Sequence, residues 1–199
     1  MQNTLLSRKP HQPKPGQVFL EHLVLARARV HEACGPARHA LAMMIAGEMA
    51  GPVFWVGAQW DPARLHGPGM VRFADPGRFT FIHARRPEDI LWTIEEVLRA
   101  GIIPLVVGDL AAPPGLTPVR RMHLAGETGA REGRVTPLGL ILTPEGGGAG
   151  VESRWHMAPD HGPAHSTWKL TRQRARQDPP QSWDVRAQGK GFSLAPPAK

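Results

Sequence analysis

The sequence predicts an α/β fold of three layers, with helices on both faces of a mostly parallel central sheet and an antiparallel hairpin at the C-terminal side. Strand-like and helix-like segments alternate from Arg29 to Leu142, which is the pattern of parallel strands joined by covering helices. The remainder has strand character without helices, as antiparallel additions at one sheet edge would. The chain's 199 residues, 41% hydrophobic and 21% charged, suit one domain with its own core.

Residues 1–16 carry three prolines among polar residues and are expected to form a flexible tail, followed by a core domain over 17–187. Val18 to Ala28 has helical spacing, with Phe19, Leu20, Leu23 and Val24 on one side. Arg29 to Cys34 reads as a short strand ending at Gly35-Pro36, and Ala37 to Met49 as a compact helix closed by Gly51-Pro52. Val53 to Val56 is an apolar strand. Residues 60–78 hold three prolines and several glycines around a short helix in ARLHGPGMVRFA.

Arg78 to His83 is the next strand, and Arg86 to Ala100 the clearest helix. Pro87 fits its first turn, Glu88 and Asp89 suit its positive end, and Gly101 stops it. Ile90, Leu91, Ile94, Val97 and Leu98 form its apolar stripe. Ile102 to Val107 is a buried strand running into Gly108-Asp109. Thr117 to Glu132 is helical with Thr117 as its cap. Pro137 to Leu142, Arg154 to Met157 and Thr167 to Arg174 are strands, and residues 188–199 are expected to form a second flexible tail.

The net charge of +7 comes mainly from arginine, 19 against 5 lysines. It suits an anionic partner, either nucleic acid or an acidic protein face, although a GC-rich genome would give the same composition. A single cysteine excludes an internal disulfide framework and any multi-cysteine metal site. No apolar run of about 18 residues occurs, so a cytoplasmic protein without a membrane partner is expected.

The segment VHEACGPARHALAMMIA stands where a phosphate-binding loop would, between a strand and a helix. Such a loop needs G-x-x-x-x-G-K-[ST]: glycines to wrap backbone N–H groups around phosphates, a lysine to neutralise them, and a hydroxyl for Mg²⁺. Gly35 opens it, but Ala40 replaces the second glycine, Leu41 the lysine and Ala42 the hydroxyl residue. Over residues 27–187 the chain resembles RecA, whose strand also ends in Gly-Pro before its P-loop.

VFWVGAQWDPARLHG is similar to the RecA segment that carries the catalytic glutamate, with Gly57, Ala58 and Gln59 in that neighbourhood. IIPLVVGDL resembles the Walker B strand, which makes Asp109 its acidic end. PLGLILT resembles the strand that ends in a nucleotide-sensing glutamine, with Thr143 in its place, and STWKLTRQRARQDPPQSWDV resembles the closing hairpin. With its disabled loop the chain looks most like the ImuA family, RecA-like accessory proteins of SOS-induced mutagenesis. SulA-type cell-division inhibitors share the reduced scaffold.

The resemblance implies a degenerate P-loop (Gly35, Ala40, Leu41, Ala42), a vestigial Walker B Asp109, no catalytic residue, no nucleotide cofactor and no metal. It implies a protein partner, either a translesion polymerase homologue or RecA. The places of RecA's DNA loops hold only Ala111–Gly115 and Pro144–Gly150, too short to embrace a strand. Weak electrostatic contact with DNA is left open.

Among single residues, Cys34 reads as a buried small residue. The ten histidines, including His31, His39, His156, His161 and His165, lack zinc-site spacing. Arg85-Arg86 precede a helix start, where positive charge is locally unfavourable, which hints at use. Arg120 and Arg121 lie on the helix after Asp109. Arg172, Arg174 and Arg176 alternate, so on a strand they would share one face and bind an anion. Trp155, Trp168 and Trp183 suit packing under an edge hairpin better than base stacking. The expected function is a non-catalytic adaptor in DNA damage tolerance. The alternatives are a division inhibitor that binds the tubulin-like division protein, and a DNA-binding ATPase with an atypical site.

Overall fold

A computed structural model describes residues 16–61, 65–162, 165–176, 178–189 and 191–197. Nearly all of the expected N-terminal tail, 1–15, lies outside these residues, as do position 62 and the first two residues of the ARLHGPGMVRFA segment, 63 and 64. The element order is β1 (Gly16–Phe19), β2 (Leu23–Ala26), β3 (Val30–Cys34), α1 (Arg38–Gly47), β4 (Val53–Ala58), α2 (Gly67–Met70), β5 (Phe79–Ala84), α3 (Pro87–Ala100), β6 (Leu105–Asp109), α4 (Leu116–Glu132), β7 (Leu138–Thr143), β8 (Ser153–Pro159), β9 (Thr167–Ala175), β10 (Gln181–Gln188) and β11 (Gly191–Ala195).

Nine strands form one sheet in the order β11-β10-β9-β8-β3-β7-β6-β4-β5. The run from β8 to β5 is parallel throughout, and β9, β10 and β11 add antiparallel at one edge. The mixed sheet agrees with the sequence reading, but β8 does not, because it runs parallel to β3. The loop from Pro144 to Glu152 folds back along the sheet, and Glu152 N–H reaches the carbonyl of Val30 at 2.9 Å. That return brings the chain back down β3, so β8 sets off in the same direction without a covering helix.

The helix expected over Val18–Ala28 is instead the β1–β2 hairpin. Burial alternates with period two: Phe19, Leu23 and Leu25 point inward while Val18 and Val24 are exposed. The four residues first read as a helical face straddle a turn in which Leu20 and Glu21 take positive φ (43° and 69°), which no α-helix tolerates. Gly191–Ala195, inside the expected C-terminal tail, pairs with β10 as the sheet's edge strand. Thr117 does not cap α4; Gly115 holds that position and offers no side chain.

Two apolar clusters lie on opposite faces of the sheet. The first gathers α1, the inward side of the β1–β2 hairpin and the tryptophans of β8, β9 and β10. Helix α1 is apolar almost all round, with Leu41 to Ala46 buried, because the sheet covers one side and the hairpin and the Met70–Ala74 turn cover others. The second cluster is built from α3 and α4 against β3, β4, β6 and β7. Helix α3 follows its sequence signals: Pro87 at the start, Glu88 and Asp89 in the first turn, and Gly101 in the left-handed region at φ 56°. A Cβ at Gly129 of α4 would run into the Leu98 carbonyl, so the two helices approach backbone to backbone at their C-terminal ends.

Candidate functional site

In parallel α/β sheets, ligands are taken up beyond the carboxyl ends of the strands. At that edge β3, β7 and β6 lie side by side, ending in Cys34, Thr143 and Asp109. Only Gly35, Pro36 and Ala37 separate β3 from α1. Gly35 takes φ +91°, where a Cβ would meet the Met157 carbonyl at 2.6 Å and the His156 ring at 2.7 Å. Its N–H donates to Pro144 O at 2.9 Å, Ala37 N–H to Met157 O at 3.0 Å, and Arg38 N–H to Gly35 O at 3.2 Å. Three backbone amides of this turn, those of Gly35, Ala37 and Arg38, are therefore committed within the protein.

Ala40, Leu41 and Ala42 do not form a loop at all. They lie inside α1, and Leu41 and Ala42 are fully buried in the core of the α1 face. Helix α1 begins at Arg38, so the three positions matched to the P-loop's second glycine, lysine and hydroxyl residue fall within its first turns, with Leu41 and Ala42 turned into the core. What approaches the strand ends is His39. Its Nε2 sits 2.6 Å from Asp109 Oδ2, and its ring stacks on Trp55 with centroids 6.1 Å apart. Arg38 Nε adds a longer contact of 3.9 Å to Asp109 Oδ1. Trp55, Gly57, Ala58, Phe81 and Asp109 line a pocket of about 30 Å³ there, the size for a water molecule or two. Among the described residues no cluster of three or more His, Cys, Asp or Glu is placed to hold a metal ion.

Cys34 is buried in the sheet, its thiol pushed up to about 11 by burial first and by the nearby Glu32 carboxylate second. At neutral pH it is a thiol and a poor nucleophile. Beside it is a centre the sequence reading missed. Glu32, in the middle of β3, is fully buried, and its carboxylate accepts from Thr143 Oγ1 (2.7 Å), Gly148 N–H (3.0 Å), Gly147 N–H (3.3 Å) and Arg154 Nε (2.5 Å). Arg154 Nη2 in turn donates to Gly148 O at 2.9 Å. A charged pair and two backbone amides pin the glycine loop after β7 onto the sheet. The signal was present: an acidic residue within an apolar strand and three consecutive glycines.

On the other face His31 is buried between Ser153 Oγ (2.6 Å from Nδ1) and Ala26 O (2.9 Å from Nε2). A carbonyl only accepts, so Nε2 carries the proton and Nδ1 accepts from Ser153, whose oxygen takes the Trp155 indole N–H at 2.7 Å. Burial lowers the His31 pKa from 6.5 to about 4, so the ring is neutral.

The five arginines expected to meet an anion separate. The β8–β9 ladder has a bulge: Arg154 pairs with Arg174 and Trp155 with Arg172, skipping Gln173. Strict alternation fails there, so Arg172 and Arg174 project from opposite faces. Arg172 is buried with its guanidinium over Trp155 and Trp183, at 5.5 and 5.4 Å from the ring centroids, and pairs with Asp178 at 3.4 Å. Trp155, Trp168 and Trp183 are themselves buried. Arg121 pairs with Glu95 at 2.9 Å, and Arg86 is engaged by Asp89 at 2.8 Å. Arg120 and Arg176 do come together, in a groove beside α4 that Leu116, His123, Leu124 and Arg29 also line. No family model matches the chain, and no curated protein matches it.

Proposed function

We propose that this chain is a non-catalytic adaptor of RecA-like, three-layer form that acts in DNA damage tolerance by binding a translesion polymerase homologue or RecA. The assignment to that process rests on the ImuA resemblance of the sequence. The scaffold reading draws support from the adjacency of β3, β7 and β6, the strands matched to the P-loop, nucleotide-sensing and Walker B strands. Two separate cores, one with α1 and one with α3 and α4, fit a sheet covered on both faces.

The observation that carries the adaptor reading is the arrangement at the strand ends. His39 occupies Asp109, and the positions that would supply lysine and hydroxyl are buried apolar residues of α1. Seating a magnesium triphosphate there would break the His39–Asp109 pair and leave the phosphates without a lysine counter-charge. The loop after β7, which in RecA is a mobile DNA element, is short here and tied down by Glu32 and Arg154. Both features favour contact through the surface over a turnover cycle.

Affinity capture of the tagged full chain from DNA-damaged cells tests the partner: recovery of a polymerase homologue or RecA is expected, and recovery of neither overturns the reading. Calorimetry with ATP and Mg²⁺ tests the non-catalytic part. No binding at millimolar nucleotide is expected; saturable binding abolished by Asp109→Ala would overturn it.

A further inference from the structure

Helix α4 presents one flank to solvent along its whole length. Leu116, Arg120 and Leu124 follow at four-residue intervals and continue into Glu127, so they line one edge of a groove of about 520 Å³. Arg29 and Arg176 line it too. Arg29 and Glu127 also line a neighbouring groove of about 510 Å³ that runs on to Arg27 and Arg131. Leu116 and Leu124 are 43% and 63% exposed, although they belong to a helix whose other side is buried in the second core.

The cations have different roles. Arg29 is fixed, only 10% exposed, at 2.5 Å from Glu127 and 3.6 Å from Glu152. Arg176 is 69% exposed and makes only a loose 3.8 Å contact with the recessed Glu152. Arg120 is exposed and forms no ion pair among the described residues. The two grooves together are lined by Arg27, Arg29, Arg120, Arg131 and Arg176 against a single acid, Glu127.

We propose that this groove receives an acidic amphipathic segment of a partner protein, whose apolar side chains cover Leu116 and Leu124 while its carboxylates meet Arg120 and Arg176. The inference rests on the adaptor reading for the kind of occupant, a protein, and on the groove for its chemistry. The leucines flank the unpaired arginine on both sides, so a phosphate backbone laid here would leave them uncovered, whereas a helix with apolar positions at i and i+4 buries them. Glu127, 47% exposed in the same groove, would repel a continuous phosphate backbone along its length, whereas carboxylates spaced a helical turn apart can be placed to avoid it. The chain's own first fifteen residues carry Arg8, Lys9 and Lys14 and no acid, the wrong sign for the site.

The test uses the full chain and a fluorescein-labelled synthetic helix with leucines at i, i+4 and i+8 separated by glutamates, read by fluorescence anisotropy. Saturable binding is expected, weakened about tenfold or more by Arg120→Glu with Arg176→Glu and by Leu124→Asp. A charge-matched control pair on other surfaces, Arg85→Glu with Arg186→Glu, should leave the affinity unchanged. The inference is overturned if the peptide does not saturate at millimolar concentration, if a lysine version binds equally well, or if the groove variants bind like the parent. It is also overturned if a single-stranded oligothymidylate uses these arginines with higher affinity than the peptide. Because the probe contains no cellular partner, its failure leaves the capture experiment's answer standing, and the reverse also holds.

Discussion

The two faces of the sheet differ in how they handle polarity. On the α1 face the deepest polar groups are neutral, His31 without its proton, the Ser153 hydroxyl and the Trp155 indole, joined in a chain among apolar side chains, and the buried cation Arg172 lies over Trp155 and Trp183 with its counter-charge on the exposed Asp178. On the α4 face they are ionic: Glu32 with Arg154 in the interior, then Arg29 with Glu127 and Glu152 near the surface. Neutral hydrogen-bonded groups cost little to bury, whereas a buried ion pair is held only while both partners and their remaining hydrogen bonds are in place. The first face therefore holds stability in packing. The second holds a loop and a groove in position, and its outermost charges are the ones the proposed partner segment would meet.

Breaking the ionic centre should have the largest effect. Glu32→Ala leaves the Arg154 guanidinium uncompensated and the Gly147 and Gly148 amides unpaired, with an expected loss of about 3–5 kcal/mol in urea unfolding. If the loss is below about 1 kcal/mol, the two faces do not differ as described. On the neutral face Leu41→Ala removes a fully buried side chain of α1 and should cost about 2–5 kcal/mol by cavity formation, measured in the same way.

Acid sharpens the same contrast. Because the His31 pKa is lowered from 6.5 in the unfolded chain to about 4 in the fold, the unfolded state binds the extra proton first. Its contribution is whole above pH 6.5, falls as pH drops from 6.5 towards 4, and is level below that, a loss on the order of 3 kcal/mol. His123, on the other face, is lowered by burial in the same direction. Stability curves of the parent and of His31→Gln should differ in slope across that window, and equal slopes would remove His31 from the account. Least of all, Arg120→Glu should change unfolding by under about 0.5 kcal/mol, since its side chain is exposed on α4. A large effect would make this arginine part of the fold and not of a docking surface.

Legibility in the sequence followed the range of the interactions. Helix α3 was readable because Pro87, Glu88, Asp89 and Gly101 act on the backbone next to them, and β4, β6 and β7 because each is a short apolar run between turn residues. The β1–β2 hairpin was not legible because the unbroken apolar runs Val18–Leu20 and Leu23–Leu25 contain both a helical set (Phe19, Leu20, Leu23, Val24) and the period-two set that is buried (Phe19, Leu23, Leu25). The arginine series at 172, 174 and 176 failed for a different reason. One extra residue in the ladder reverses the side on which every later side chain projects, and a bulge exists only in relation to the partner strand.

By itself the sequence determined that strands and helices alternate, that the sheet is largely parallel, and that no lysine or hydroxyl follows Gly35 where a triphosphate would need them. All of these are set by local propensity, by periodicity or by the identity of a side chain. Only the tertiary structure decided that Leu41 and Ala42 turn into the core, that His39 meets Asp109 70 residues away, and that Glu32 gathers Thr143, Gly148 and Arg154 across the sheet. Those pairings depend on which strands become neighbours and on where α1 begins. Both are set by burying the whole chain's apolar surface at once, so no window of sequence contains them.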